Sequence, residues 1–100
     1  MTERDLVKAT QKAIEAVGGW VFKTHGHLGQ RRGIPDVLAC VGGRFIGIEC
    51  KGPRGRLTAE QAREIARIRA AGGIAGVARS MEDVMQLLQE ATGKEVGLWS

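Results

Sequence analysis

Asp36, Glu49 and Lys51 are the residues whose types and spacing best suit chemistry. They lie on two apolar runs, DVLACV at 36–41 and RFIGIECK at 44–51, separated by Gly42-Gly43. A Gly-Gly pair between such runs signals a hairpin with a two-residue loop. That loop sets Val41 opposite Arg44, and counting outward brings Asp36 directly across from Glu49. Opposed residues share a sheet face, with Cβ atoms roughly 4.5–5.5 Å apart. Lys51, two positions beyond Glu49, points to the same face. Two carboxylates and an ammonium thus converge at the open end of a hairpin. Like charges placed opposite each other destabilise a strand pair and raise one carboxylate's pKa unless something compensates. Magnesium or manganese compensates naturally, because both prefer carboxylate oxygens. A cation held by few protein ligands keeps waters, polarises a phosphoryl group and supplies a hydroxide nucleophile. Lys51 beside it would orient that water or stabilise charge developing on the phosphate. The plainer reading makes Asp36 a turn residue after Pro35 and Glu49–Lys51 an exposed strand pair. It leaves the shared register of all three as coincidence.

The elements that must hold these residues follow from periodicity. Thr2 and Asp5 form a capping-box-like start, and Leu6, Val7, Thr10, Ala13, Ile14 and Val17 keep helical spacing up to Gly18-Gly19. Trp20 to Lys23 reads as a short strand, and the basic, glycine-containing stretch that follows to Pro35 as a functional loop. After the hairpin comes a basic loop, GPRGR at 52–56. Thr58 and Gln61 cap a second helix, with Ala62, Ile65 and Ala66 expected to face inward. Ile74 to Ala78 makes a fourth strand, and Ser80 with Asp83 opens a third helix carrying Val84, Met85, Leu87, Leu88 and Ala91. Val96, Leu98 and Trp99 in the tail are expected to pack on the body. The order is αβββαβα. Strand 3, helix 2 and strand 4 form a crossover, so strand 4 runs parallel to strand 3 in a mixed sheet flanked by helices.

The bulk numbers narrow the class of protein. One hundred residues make one small domain, which gains from a partner subunit. A composition 43% hydrophobic and 26% charged belongs to a folded soluble chain. No apolar run approaches the roughly 18 residues of a membrane span, and the start MTERDLVKAT lacks a signal-peptide core. A cytoplasmic protein is expected. A net charge of +4 favours a polyanionic partner. Cys40 and Cys50 lack metal-knuckle or redox spacing and read as reduced, buried cysteines.

The surroundings of the acidic pair are specific. Ile34-Pro35-Asp36, twelve intervening residues and Glu49-Cys50-Lys51 resemble the PD-(D/E)XK nuclease signature. Arg32-Gly33-Ile34-Pro35-Asp36 and the run ECKGPRGRLTAEQ resemble the virus-type replication-repair nuclease (VRR-NUC) domain, over about Glu3 to Val84. The resemblance implies a restriction-endonuclease-like αβββαβ core, to which this chain adds a C-terminal helix. It implies Asp36 and Glu49 as metal ligands, the Cys50 carbonyl as a further ligand and Lys51 as catalytic base. It also implies a homodimer, since small members resemble Holliday-junction resolvases, and a setting in DNA repair.

Related nucleases add an acidic residue from the first helix. Glu3 precedes Leu6 and Val7 by three and four positions and so lies on their face, whereas Glu15 falls with Lys12 on the solvent face. Glu3 is therefore the expected ligand. Gln61 matches the family's glutamine and is expected in the site while also serving the capping box. Arg31, Arg32, Arg54 and Arg56, with Lys23, are expected to contact phosphates, which position a nucleic acid without reading its sequence. His25 and His27 read as ordinary loop residues. Few aromatic residues (Trp20, Phe22, Phe45 and Trp99) argue against base stacking. The expected function is a magnesium- or manganese-dependent DNA endonuclease selective for branched structures, with no small-molecule cofactor. The alternatives are a nuclease acting on linear duplex or flaps, and a non-catalytic DNA-binding module on the same fold.

Overall fold

A computed structural model describes residues 1–24 and 31–93. Helix α1 spans Glu3–Ala16, with the Thr2 hydroxyl accepting from the Asp5 backbone N–H at 3.0 Å. Strand β1 (Trp20–Lys23) follows, then β2 (Val37–Val41) and β3 (Arg44–Cys50). Between β2 and β3, Gly42 and Gly43 take φ values of 58° and 79°. A tight primed turn needs positive φ at both central residues, which is why two glycines stand there. Helix α2 (Ala59–Ala70) carries the full capping box between Thr58 and Gln61. Strand β4 (Ile74–Ala78) and helix α3 (Met81–Thr92), capped by Ser80, complete the order αβββαβα.

The sheet order is β1-β2-β3-β4, antiparallel except for the parallel β3–β4 pair that the α2 crossover dictates. The hairpin register is the expected one, Val41 opposite Arg44 and Val37 opposite Ile48. One face of the sheet presents Val37, Ala39, Val41, Ile46, Ile48 and Cys50 to Leu6, Val7 and Ile14 of α1 and to Val84, Leu87, Leu88 and Ala91 of α3. This is the main core; burying each large aliphatic side chain contributes about 1.5–3 kcal/mol.

Helix α2 lies on the other face with a different stripe from the expected one. Ile65 is buried and Ile68 half-buried, but Ala62 and Ala66 are exposed and Glu64 is buried in their stead. The helix is rolled so that positions 61, 64, 65 and 68 meet the sheet. Short alanines at its edge gain little by contact, while Gln61 must point inward to meet the site described below. Among the described residues, the β1–β2 half of that face has no helix over it. Trp20 is 61% exposed and Phe45 45% exposed, and Trp20 and Phe22 stack with ring centroids 6.3 Å apart. Cys40 points to this uncovered side and is exposed, contrary to the expected burial, whereas Cys50 faces the core. Both are free thiols. His25, His27, Val96, Leu98 and Trp99 lie outside the described residues. Among the described residues, no helix is long and apolar enough to cross a membrane.

Candidate active site

Asp36 stands at the bend leading into β2, one position before the strand begins. Thr24 fixes that bend. Its N–H and hydroxyl donate to the Asp36 carbonyl at 2.8 and 3.2 Å, and the hydroxyl also reaches the Pro35 carbonyl at 2.8 Å. The loop then passes so close to α2 that a side chain at Gly33 would strike the Glu60 carbonyl; Gly33 also has φ of +89°. On the opposite strand, Lys51 N–H donates to the Ala78 carbonyl at 2.9 Å, which ties the end of β3 to β4.

The extended register brings Asp36 across from Glu49. Asp36 Oδ2 accepts the Cys50 N–H at 2.9 Å. Glu49 is only 2% exposed. Its Oε2 accepts from Gln61 Nε2 at 3.1 Å and lies 3.6 Å from the buried Lys51 Nζ. Gln61 therefore does two things at once, because its Oε1 accepts the Thr58 N–H at 2.9 Å. Carboxylate oxygens of Glu3, Asp36 and Glu49 all come within 4.8 Å of one another. Glu3 is exposed rather than on a buried face. It joins the cluster because the first turn of α1 ends beside the open end of the hairpin.

Electrostatics mark this as a costly arrangement. Burial, then repulsion from Asp36 and a hydrogen bond with it, push the Glu49 carboxyl from 4.5 up to about 8, against the opposing pull of Lys51. Burial likewise pushes the Cys50 thiol up to about 12, so its sulfur is no ready ligand, and only the main chain of Cys50 offers one. Among the described residues, Glu49 Oε1 is buried with no hydrogen-bond partner. A carboxylate oxygen orphaned beside two further carboxylates fits a hard divalent cation in chemistry and number of donors. The cluster could hold such an ion, and Lys51 would remain beside it.

A cleft of about 570 Å³ opens beside the cluster, lined by Glu3, Lys51, Gly52, Pro53, Arg54 and Gly55. Its loop is braced by Arg79, whose Nη1 donates to the Gly52 and Gly55 carbonyls at 3.1 and 2.8 Å. Arg54 is thus brought to the cleft, with Arg56 exposed on the same loop and Arg32 exposed in the turn before Asp36. Lys23 is half-buried at the end of β1, opposite Val37. Arg31 turns away to α2, where its Nη2 meets Glu64 Oε1 at 2.8 Å.

A model of the VRR-NUC domain matches residues 2–82. The chain belongs to the VRR-NUC family. The family is one of nucleases, and the αβββαβ frame with its acidic cluster is the arrangement a nuclease fold provides. A solved structure described as a VRR_NUC domain superposes with a TM-score of 0.70 at 28% identity, covering 89% of this chain and 97% of that one. The Archaeoglobus fulgidus Hjc structure, described as a Holliday junction resolvase from an archaeal hyperthermophile, superposes with a TM-score of 0.53 at 27% identity. That match covers 78% of this VRR-NUC chain and 63% of Hjc. A comparison with curated proteins gives no match.

Three contributors escaped sequence reasoning. Thr24 and Arg79 act through backbone carbonyls, which no side-chain pattern announces. Glu64 looks like one more charge on an exposed helix, and the only signal was its place three residues after Gln61 on the same face.

Proposed function

We propose that this chain is a divalent-metal-dependent endonuclease that hydrolyses phosphodiester bonds in DNA, favours branched DNA, and works as a homodimeric, single-domain protein in DNA repair. The observation that carries the reading is the convergence of Glu3, Asp36 and Glu49 with Lys51 at one cleft, with a Glu49 oxygen left unpartnered. Asp36, Glu49 and Glu3, with the Cys50 carbonyl, would hold magnesium or manganese. When bound, the ion supplies polarisation of the scissile phosphate and charge compensation for the carboxylates. Lys51, held beside Glu49, would orient the attacking water and, in its neutral amine form, would take its proton. Gln61 holds Glu49 Oε2 in place beside Lys51 from a capped helix end. Arg32, Arg54, Arg56 and Lys23 would contact phosphates and set the strand across the cleft, and Arg31 would contact phosphate from its place beside α2.

The preference for branched DNA is supported by the likeness to Hjc. Two active sites in fixed relation would cut a four-way junction symmetrically, which is the reason for a dimer. The test is cleavage of end-labelled four-way junction, flap and linear duplex with magnesium, manganese or a chelator, for wild type and Asp36→Ala. Metal-dependent cutting of branched DNA that disappears in the variant is expected. Equal cutting of linear duplex would remove the structural preference. Metal-independent binding without cutting would make the chain a binding module.

A further inference from the structure

Helix α2 carries a second charged centre one turn beyond Gln61. Glu64 is 2% exposed, and three arginines surround it: Arg31 Nη2 at 2.8 Å from Oε1, with Arg67 Nη1 at 3.6 Å and Arg63 Nε at 4.0 Å from Oε2. Their side chains stay more than half exposed, and among the described residues Oε2 makes no hydrogen bond. One buried carboxylate thus holds three guanidiniums at the surface, leaving an excess of two positive charges. A lone structural ion pair needs one arginine. Arg31 is held at hydrogen-bond distance while Arg67 and Arg63 stand within ion-pair range, and a guanidinium fork matches phosphate geometry.

Beside this cluster is a cleft of about 400 Å³ whose lining includes Arg31, Arg67, Ile68 and the ring of Phe45. Phe45 shares a sheet face with Glu49, four residues away along β3, which corresponds to roughly 13 Å. Gln61 and Glu64 are one helical turn apart, about 5–6 Å between Cβ atoms. The arginines and the ring therefore lie along α2 and β3 at one to a few nucleotides from the acidic cluster. An exposed aromatic ring beside a phosphate-holding pair suits a nucleotide whose base is free of its stack; a paired and stacked base offers no face to it.

We propose that Arg31 and Arg67, organised by Glu64 and flanked by Phe45, form a subsite for an unstacked nucleotide of the DNA at a branch point. The guanidiniums take its phosphate, and the Phe45 ring takes its base. This rests on the nuclease reading for its substrate, and it explains branch selectivity by capture of a nucleotide that linear duplex does not present. Glu64 is a positioning residue, acting through the arginines.

The test is equilibrium binding in chelator, by fluorescence anisotropy, of labelled flap DNA, four-way junction and linear duplex of equal length. Phe45→Ala removes an exposed ring and should weaken binding of the flap or junction by about 5- to 150-fold, with duplex binding unchanged. The branched substrate that loses more identifies which branch is held. Arg67→Ala should weaken flap and junction binding and lower their salt slope by about one phosphate contact, with a smaller effect on duplex. Glu64→Gln should resemble Arg67→Ala without loss of secondary structure by circular dichroism. Unchanged flap and junction binding by Phe45→Ala would overturn the subsite, as would equal losses on duplex. A shift in sedimentation from dimer to monomer with DNA affinity unchanged would overturn it too, and would assign the face to a second copy. Because no metal is present, this result is independent of the cleavage test: the subsite can fail while cutting persists, and the reverse.

Discussion

At the scale of residues, the chemistry is a matter of three carboxylates brought closer than they would choose. Asp36, Glu49 and Lys51 were legible in the sequence because hairpin register is arithmetic once the Gly-Gly turn is recognised. Asp36→Ala or Glu49→Gln should each reduce the rate constant of metal-dependent cleavage at least about 100-fold, and Lys51→Ala by about two to four orders of magnitude, measured under single-turnover conditions. Burial also makes a pH signature. Glu49 titrates near 8 instead of its ordinary 4.5, so the folded state binds one proton more than the unfolded chain between those values. Stability of the metal-free protein should therefore fall as pH rises from about 5 to 8 and level off above, by thermal melts in chelator. Glu49→Gln should flatten that slope; an unchanged slope would show that another group produces it.

At the scale of elements, the site depends on how loops and helix ends are tied. The elements themselves followed from spacing, since Thr2, Thr58 and Ser80 each precede a helical run and glycines end them. The roll of α2 did not. Sequence periodicity favoured Ala62 and Ala66, whereas contact with Glu49 demands that polar Gln61 face inward, and a buried polar contact is invisible to a hydrophobic pattern. Thr58→Ala should cost about 1 kcal/mol through loss of the cap, lowering the melting temperature by about 4–8 °C. Because Gln61 is released from the same cap, cleavage by the still-folded variant should slow with DNA affinity unchanged. Gly33→Ala should be harsher, about 1–3 kcal/mol by denaturant melts, since it places a Cβ at a left-handed φ against the Glu60 carbonyl.

At the scale of the molecule, positive charge is distributed along one course past the acidic cleft. Arg54 stands at the cleft, Arg56 and Arg32 on the loops beside it, and Arg31 and Arg67 along α2. Net charge announced a polyanion without locating it, because the helix arginines acquire meaning only when Glu64 gathers them. The uncovered half-face with Trp20 and Phe22 was equally hidden, since strand alternation does not say which half of a face a helix will cover. If Arg31, Arg32, Arg54, Arg56 and Arg67 each neutralise one phosphate, affinity for duplex-containing DNA should fall with a log–log salt slope of about −4.5. That is about 500-fold between 50 and 200 mM salt. A slope near zero, from binding isotherms at several salt concentrations, would remove the electrostatic course.

If the buried carboxylates hold a cation, manganese binding reads it most directly. Electron paramagnetic resonance of free manganese, titrated at pH 8 with wild type and Glu49→Gln, would count the ions taken up. Saturable uptake by the wild type that weakens at least about 10-fold in Glu49→Gln is the expected result. Equal uptake by both proteins, or none by either, would contradict it and leave the acidic cluster without the ion on which its chemistry rests.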